Sequence, residues 1–291
     1  MRPDQAMTLR VVAPLKRAGL WSRTTGIPVL MYHSVSDDPE PGVADYYRLA
    51  TGPALFRRHM EVIRELGFEV ISLARAVEAL QQPLPAARRQ VVITFDDGFR
   101  DFATGAWPVL FEFGFTASVF LPTQYIGDKR DSFVGRECLT WDEVISLQRA
   151  GVSFGSHTVS HPKLATLEDA SLRHELSDSR RAIEDRLGNP VDTFAHPYAF
   201  PQEDPAYVAR FRRAARDAGY RISVTTLIGS IRPADDPMML KRLPVNGADT
   251  PEFFAAKLLG AYDWMGVPQW VVKRLKGLKR STGSREKRVV A

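Results

Sequence analysis

The sequence is nearly devoid of cysteine and contains no long apolar run. Its single cysteine, Cys138, cannot form a disulfide within the chain, and a metal site built from several thiolates is excluded. Nowhere do about 20 apolar residues follow one another, as a transmembrane helix would require. Residues 1–26 also lack the apolar stretch of an export signal. From these absences we expect a cytoplasmic protein, with association at the inner face of the membrane left open.

Net positive charge is absent outside the C-terminus. The formal net charge is +5, but residues 271–291 hold eight lysines and arginines against Glu286, so that they carry +7 and the first 270 residues carry −2. Because this body has no basic stripe interleaved with aromatic residues, nucleic acid is not an expected partner. The segment Trp264–Lys276 mixes aromatic, apolar and basic residues. That mixture is typical of peripheral contact with an anionic membrane, and a solvated basic tail is an equal alternative.

The composition that remains is that of a globular protein, with 44% hydrophobic and 25% charged residues. Short β-branched apolar runs alternate with segments of helical periodicity, which predicts strands and helices in regular succession. The predicted strands are 27–32, 68–71, 91–95, 116–121, 152–154 and 222–225. The predicted helices are 56–66, 73–81, 107–113, 141–150, 171–187 and 205–218. His59 and His174 fall within charged helical segments and are expected on solvated helix faces.

This alternation indicates βα units around a parallel sheet, and the spacing does not decide between an open sheet and a closed barrel. We expect one domain over residues 27–265, between an N-terminal extension (1–26) and a basic C-terminal tail (266–291). In parallel α/β architectures function gathers at the carboxyl ends of the strands. The polar residues just after each apolar run are therefore the candidate site residues.

Two adjacent carboxylates, Asp96 and Asp97, follow the predicted strand 91–95. An isolated Asp-Asp-Gly is more often a turn than a site. His157 and His161 follow a later strand, and their spacing lets both imidazoles reach one ion, although two polar loop histidines are the plain alternative. The combination predicts a divalent metal held by two histidines and one carboxylate, with an open coordination position. The other carboxylate stays free to act as a base.

The order and spacing of several short motifs resemble the NodB-type polysaccharide deacetylases, also called carbohydrate esterase family 4, in its exopolysaccharide-modifying branch. The matching segments are PVLMYHSV, FRRHMEVIRELGFEVISL, ITFDDG, TASVFLPT, LTWDEV and GSHTVSHP. Together they span roughly residues 27–250. The resemblance implies an α/β fold with a parallel βα barrel, the distorted (β/α)7 barrel of the NodB-homology deacetylases.

The resemblance also implies roles for individual residues. Asp96 would be the general base. Asp97, His157 and His161 would hold a divalent metal, with Zn2+ as the expected ion. Tyr198 would steady the oxyanion through its backbone amide.

The sequence departs from the family pattern at two motifs. Ala195 stands where the family commonly has an arginine, and His196 beside it is either a packing residue or a proton-transfer residue. The Leu-x-His motif, whose histidine is the general acid, is absent from Met239–Leu243. The branch with the MYH segment suggests His33 as the acid, with a structural hydrogen-bonding role as the alternative. Arg242 is a candidate for holding the base ionised.

We therefore predict a metal-dependent hydrolase, a polysaccharide deacetylase acting on a linear amide C–N bond. Its predicted substrate is an N-acetylated amino sugar in a bacterial surface or exopolysaccharide, or in the lipid-linked oligosaccharide precursor. One alternative is a deacylase or deformylase of a small or lipid-linked sugar. Another is a catalytically degenerate carbohydrate-binding module, which the missing Leu-x-His favours and the intact carboxylate and histidine set opposes.

Overall fold

The computed structural model describes residues 1–21, 26–81 and 89–274, so the end of the predicted basic tail, residues 275–291, lies outside the described residues. Its strands are β1 (Val29–Tyr32), β2 (Ser34–Val35), β3 (Ala50–Thr51), β4 (Glu69–Val70), β5 (Gln90–Phe95), β6 (Ser118–Leu121), β7 (Ser132–Phe133), β8 (Arg136–Glu137), β9 (Ser153–Ser156), β10 (Thr193–Ala195), β11 (Ile222–Ile228) and β12 (Leu240–Pro244).

The α-helices of the same residues are α1 (Pro3–Met7), α2 (Ala13–Arg17), α3 (Pro53–Glu65), α4 (Leu73–Ala79), α5 (Trp107–Glu112), α6 (Trp141–Arg149), α7 (Asp169–Leu187), α8 (Pro205–Asp217) and α9 (Pro251–Leu258), followed by a helical segment at 266–274. π-Helical turns at Thr8–Val12 and Phe102–Ala106 precede α2 and α5. None of the helices in the described ranges combines the length and apolar content needed to cross a membrane.

Seven parallel strands close into a barrel in the order β1, β12, β11, β10, β9, β6 and β5. Closure occurs at β1, where Leu30 is opposite Leu243 of β12 on one side and Ile93 of β5 on the other. The short strand β4 pairs with the start of β5. The closed barrel expected from the resemblance is therefore confirmed, and the open sheet is excluded.

Local sequence signals account for the ends of the helices between these strands. α6 begins with a capping box in which the Glu143 amide donates to Thr140 Oγ1 and the Thr140 amide donates to the Glu143 carboxylate. α7 ends at Gly188, whose φ of 68° lies in the left-handed region that glycine tolerates best. The six predicted helices are present with ends shifted by no more than about three residues.

Two barrel strands, β10 and β12, were absent from the sequence prediction. β10 has only three residues, which is too short to show a periodicity. β12 contains Lys241 and Arg242, so its composition is not that of a buried strand. The Arg242 side chain is nevertheless fully buried inside the protein. The polar pattern of β12 therefore comes from the site rather than from solvent exposure.

The expectation for His59 is wrong. This side chain is fully buried, its ring stacks on Phe254 of α9 at 4.1 Å, and its nitrogens contact the Tyr32 hydroxyl and the Asp249 carbonyl. The apolar face of α3 also carries Phe56, Met60 and Ile63, and His59 lies among them. A histidine with both ring nitrogens bonded can lie in a core despite charged neighbours in sequence. His174 is exposed, as expected.

The N-terminal helices pack against α9 and the residues that follow it, rather than extending away from the barrel. Val12 and Ala13 form a small core with Ala256 and Ala261 at α9. The Trp264 indole nitrogen donates to Thr8 Oγ1 at 3.1 Å. Packing of this kind contributes to stability, and whether residue 26 bounds an independently folding unit stays a prediction.

A pair of neighbouring valines tests this packing. Val12→Ala should lower the free energy of unfolding by about 1–3 kcal/mol, because it removes two methyl groups from a site that is 1% exposed. Val11→Ala, at a side chain that is 40% exposed, should change it by less than about 0.5 kcal/mol. The two changes have the same effect on helix propensity. The difference in unfolding free energy between the variants, measured by denaturant titration, therefore reports the effect of burial. Equal values for both variants would mean that the N-terminal helices do not stabilise the barrel.

Candidate active site

The carboxyl ends of the barrel strands surround a pocket of about 400 Å3. It is lined by the side chains that follow three strands: His33 after β1, Asp96 and Asp97 after β5, and His157 and His161 after β9. Parallel strands in a closed barrel all end at the same mouth, which brings together residues that are far apart in sequence. The fold therefore gathers the predicted carboxylates and histidines into one site.

Asp96 is held in a buried, two-pronged ion pair. Arg242 donates from its two terminal nitrogens to the two carboxylate oxygens, each at 2.7 Å, and its Nε donates to the Thr225 carbonyl. Burial alone would raise the pKa of Asp96. The charge and hydrogen bonds of Arg242, with a smaller contribution from His157, hold that pKa well below its usual range. Asp96 is thus ionised, and the guanidinium orients it.

Asp97 has the opposite environment. Its Oδ1 is buried and accepts no hydrogen bond from the described residues, and it lies 3.5 Å from Nε2 of both His157 and His161. Burial first, and then the negative charge of Asp96, raise the pKa of Asp97 well above its ordinary value. An unpartnered buried carboxylate facing two imidazoles requires a cation or a proton.

The histidines present free nitrogens to this carboxylate. His157 Nδ1 donates to the Ala195 carbonyl at 2.7 Å, which leaves the lone pair of Nε2 directed at Asp97. Burial lowers the pKa of His157 to about 4 and that of His161 to about 3, so both rings are neutral at pH 7. Neutral imidazole is the form of histidine that binds metal.

The loop that carries both histidines is fixed by a residue absent from the sequence prediction. Glu175 of α7 is buried, and it accepts hydrogen bonds from the amides of Val159 and Ser160 and from the Ser160 hydroxyl. Within the loop, the His161 amide donates to Thr158 Oγ1. Glu175 lies on the helix stripe that includes Leu172 and Leu176. A charged residue in an apolar stripe is the signal that could have revealed it.

Backbone strain also marks the site. Six non-glycine residues of the described ranges have positive φ, and four of them, Asp97, Val134, His161 and Tyr198, line the pocket. Each such conformation costs on the order of 1–3 kcal/mol, and it persists only where surrounding contacts enforce it. Strain of this kind typically accumulates where side chains must be aimed at a ligand.

The donor set fits a divalent ion. Asp97, His157 and His161 each offer one ligand atom, and these atoms lie within 4.8 Å of one another. Two imidazole nitrogens and one carboxylate oxygen form a typical set for zinc, and three protein ligands leave a coordination position for a reactant. The unpartnered Asp97 Oδ1 is the atom that a bound cation would satisfy.

Comparison with known proteins agrees with this geometry. The family described as polysaccharide deacetylase matches residues 84–223. YxkH of Bacillus subtilis, named as a polysaccharide deacetylase, is 26% identical over 79% of this chain and 75% of its own length. The deacetylase PplD of Streptococcus pyogenes, solved with acetate, superimposes with a TM-score of 0.67 and 26% identity over 79% of this chain and 96% of that chain. The chain contains a polysaccharide deacetylase domain of the NodB type.

Two further proteins are similar to this chain. The poly-β-1,6-N-acetyl-D-glucosamine N-deacetylase of Escherichia coli is 31% identical over 143 residues, which are 46% of this chain and 20% of that protein. IcaB of Ammonifex degensii shares the fold with a TM-score of 0.67, at 21% identity over 82% of this chain and 99% of its own. Polysaccharide deacetylases are hydrolases of amide bonds, and this chain is an enzyme of that class.

His33 lies beside Asp96 in the same pocket. Its Nε2 lies 4.0 Å from Asp96 Oδ2, and it lines this pocket together with Asp97, His157 and His161. Burial lowers the pKa of His33 to about 4, and the neighbouring Asp96 opposes that shift. His33 and Asp96 thus both face the pocket and lie close to one another.

The other two predicted residues of the deacetylase site have different surroundings. Tyr198 lies at the mouth of the pocket with its ring 4.7 Å from that of His161. His196 is buried, shares a 2.6 Å hydrogen bond with the Tyr207 hydroxyl and contacts Phe200. These contacts favour the packing role of His196 over proton transfer, although its Nδ1 has no partner among the described residues.

Metal binding by this deacetylase is tested by removing one ligand. His157→Ala should abolish stoichiometric zinc binding, because the two remaining ligands cannot form a tetrahedral site. His174→Ala, at an exposed histidine, is the matched control and should bind zinc normally. Isothermal titration of metal-stripped protein with zinc measures both. Undiminished affinity in His157→Ala would overturn the assignment of the ligands.

Proposed function

We propose that this deacetylase removes N-acetyl groups from an amino sugar of a surface or exopolysaccharide, or of its lipid-linked precursor, in a reaction that depends on a divalent metal. The observation that carries the proposal is the difference in the partners of two adjacent carboxylates, Asp96 and Asp97. Arg242 neutralises Asp96, whereas Asp97 faces two neutral imidazoles without a partner. The similarity to the Escherichia coli poly-β-1,6-N-acetyl-D-glucosamine deacetylase supports an N-acetylglucosamine polymer as the substrate class.

Asp97, His157 and His161 would hold the metal, with zinc as the expected ion. When bound, the ion supplies Lewis-acid polarisation of the amide carbonyl. The protein supplies the placement of the three ligands, since the Ala195 carbonyl fixes the tautomer of His157. A hydrogen bond from the other ring nitrogen of a histidine sets both the orientation and the basicity of that histidine as a metal ligand.

Asp96 is the proposed general base. Each carboxylate oxygen accepts one hydrogen bond from Arg242 and keeps a second lone pair for a water molecule in the pocket. Arg242 orients the carboxylate and keeps it ionised, so Asp96 is ready to accept a proton. The arginine that the family commonly places at the position of Ala195 is thus replaced by one from a different strand, β12.

His33 is the proposed general acid. The departing amine must gain a proton as the C–N bond breaks, and the usual Leu-x-His acid is absent from β12. His33 lines the pocket, and its Nε2 lies 4.0 Å from the Asp96 carboxylate. A histidine beside an ionised carboxylate can take up the proton that the base removes and deliver it to the amine.

The surroundings of the pocket are suited to a sugar chain. A second cavity of about 570 Å3 lies next to the first, and Tyr46, Tyr47 and Tyr198 line both. The ring of Tyr47 is 72% exposed and that of Tyr198 is 48% exposed. Exposed aromatic rings provide flat apolar surfaces with a polar edge, which sugars can contact. The two cavities together offer room for the residues on either side of the reacting one.

Because the Leu-x-His acid is missing, turnover is the first property to measure, and a carbohydrate-binding module without turnover is the contrary outcome. Acetate release distinguishes the two. Purified protein with added zinc should release acetate from oligomers of β-1,6-linked N-acetylglucosamine. Binding of these oligomers without release of acetate would favour the module.

The proposed base is tested by Asp96→Asn. This change keeps the shape of the side chain and removes its charge, so zinc affinity should persist while turnover falls by about 10²- to 10⁴-fold. Parallel measurements of zinc binding and acetate release separate the two effects. Loss of zinc in Asp96→Asn, with zinc retained in Asp97→Asn, would exchange the two roles.

The proposed acid is tested by comparing leaving groups. His33→Ala should retain zinc and lose most acetate release from the amide substrate, because the amine leaves poorly without a proton. Hydrolysis of an activated aryl acetate should fall much less, since its leaving group needs no acid. An equal loss on both substrates would indicate that His33 has a structural role.

A further inference from the structure

The helical segment at 266–274 exposes apolar side chains that an ordinary surface helix would bury. Val267, Trp270 and Val271 lie on one face at helical spacing and are 68%, 41% and 41% exposed. Globular helices normally turn such a stripe toward the core. A contiguous exposed stripe of large apolar residues therefore indicates a surface that contacts something else.

Two polar side chains hold the segment against the rest of the protein. Gln269 donates to the Thr226 carbonyl at 2.8 Å and accepts from the Ile228 amide at 3.0 Å. One turn later, Lys273 donates from Nζ to the Phe200 carbonyl at 2.7 Å. These three hydrogen bonds fix the rotation of the helix, so the apolar stripe cannot turn inward without breaking them.

Positive charge accompanies the apolar stripe. Arg274 follows on the same face, and its guanidinium lies 5.0 Å from the centre of the Trp270 ring. Residues 275–291, whose sequence follows directly, hold six lysines and arginines against one glutamate. Their net charge of +5 equals the formal charge of the entire chain. The rest of the protein is therefore neutral, and its basic character is concentrated in the sequence that follows the stripe.

We propose that this outer face, formed by Val267, Trp270, Val271 and Arg274, is a docking surface for an anionic lipid bilayer. Apolar side chains flanked by basic ones match the two layers of a membrane surface, its acyl boundary and its negatively charged headgroups. A soluble polyanion would use the charges and leave the stripe in water. A second copy of this chain would bring two positively charged tails together, which is unfavourable.

Docking at this face would hold the pocket mouth close to the bilayer. Gln269 lines the active-site pocket, and its partner residue Thr226 donates to the Tyr198 carbonyl and accepts from the Phe200 amide. The docked helix is therefore bonded directly to the strand that supports the Tyr198 loop. Bilayer binding does not depend on the proposed reaction, so it can be tested without turnover.

The test is co-sedimentation of the full-length protein with vesicles. An equal mixture of phosphatidylglycerol and phosphatidylcholine should bind it, and phosphatidylcholine alone should bind it at least about tenfold more weakly. Raising the salt from about 0.1 M to about 1 M should release it from the mixed vesicles, since the Debye length falls from about 10 Å to about 3 Å. Equal binding to both vesicle types, or no binding to either, would overturn the proposal.

Two variants distinguish vesicle binding through the stripe from nonspecific binding by exposed apolar side chains. Trp270→Ser combined with Val271→Ser should weaken binding to the mixed vesicles by about tenfold or more, because the apolar contact is lost. Phe111→Ser removes an apolar side chain that is 68% exposed on α5, and it should bind as the unmodified protein does. Thermal unfolding of all variants verifies that they are folded. Unchanged binding by the double variant would contradict the proposal.

Truncation tests the contribution of the basic tail, and ultracentrifugation tests whether a second copy of the chain covers the stripe instead. A chain ending at residue 274 lacks the basic residues of 275–291. Its vesicle affinity should be about fivefold lower for each of these residues that contacts the membrane surface in the full-length protein. Analytical ultracentrifugation tests self-association. A dimer that dissociates on introduction of the Trp270 and Val271 changes would replace the bilayer by a second copy of the chain.

Discussion

The buried ion pair between Asp96 and Arg242 is the interaction on which the site depends. Two adjacent carboxylates cannot both remain charged inside a protein without compensation. Arg242 compensates one of them with two hydrogen bonds of 2.7 Å, while Asp97 keeps a buried oxygen without a partner. The pair thus creates two chemically distinct carboxylates from two identical residues. One is ionised and oriented, and the other keeps a buried oxygen that only a cation or a proton would satisfy.

This division of roles depends on the closed barrel. Arg242 belongs to β12 and Asp96 follows β5, and both strands pair with β1 at the point where the barrel closes. An open sheet would leave these strands at opposite edges. The loop of His157 and His161 is fixed in turn by the hydrogen bonds of Glu175, which hold its strained backbone and aim both imidazoles into the pocket. Such preorganisation is what a catalytic metal site requires.

Much of this arrangement could be predicted from the sequence, and the remainder depends on long-range contacts. The strand ends at Asp96 and at His157 follow from apolar runs and motif order. β12 could not be recognised, because the buried Arg242 makes a core strand appear polar. The supporting roles of Glu175 and Gln269 arise only when α7 and the segment at 266–274 contact loops distant in sequence. Each motif that contributes a site residue is short in sequence, whereas the groups that orient that residue come from distant segments.

Anomalous X-ray diffraction at the zinc absorption edge, from crystals grown with zinc, is the most direct test of the division between the two carboxylates. We predict one strong peak, about 2.0–2.2 Å from Nε2 of His157, Nε2 of His161 and a carboxylate oxygen of Asp97. Asp96 should lie outside the coordination sphere and remain paired with Arg242. A peak coordinated by Asp96, or the absence of a peak between the two histidines, would contradict the account.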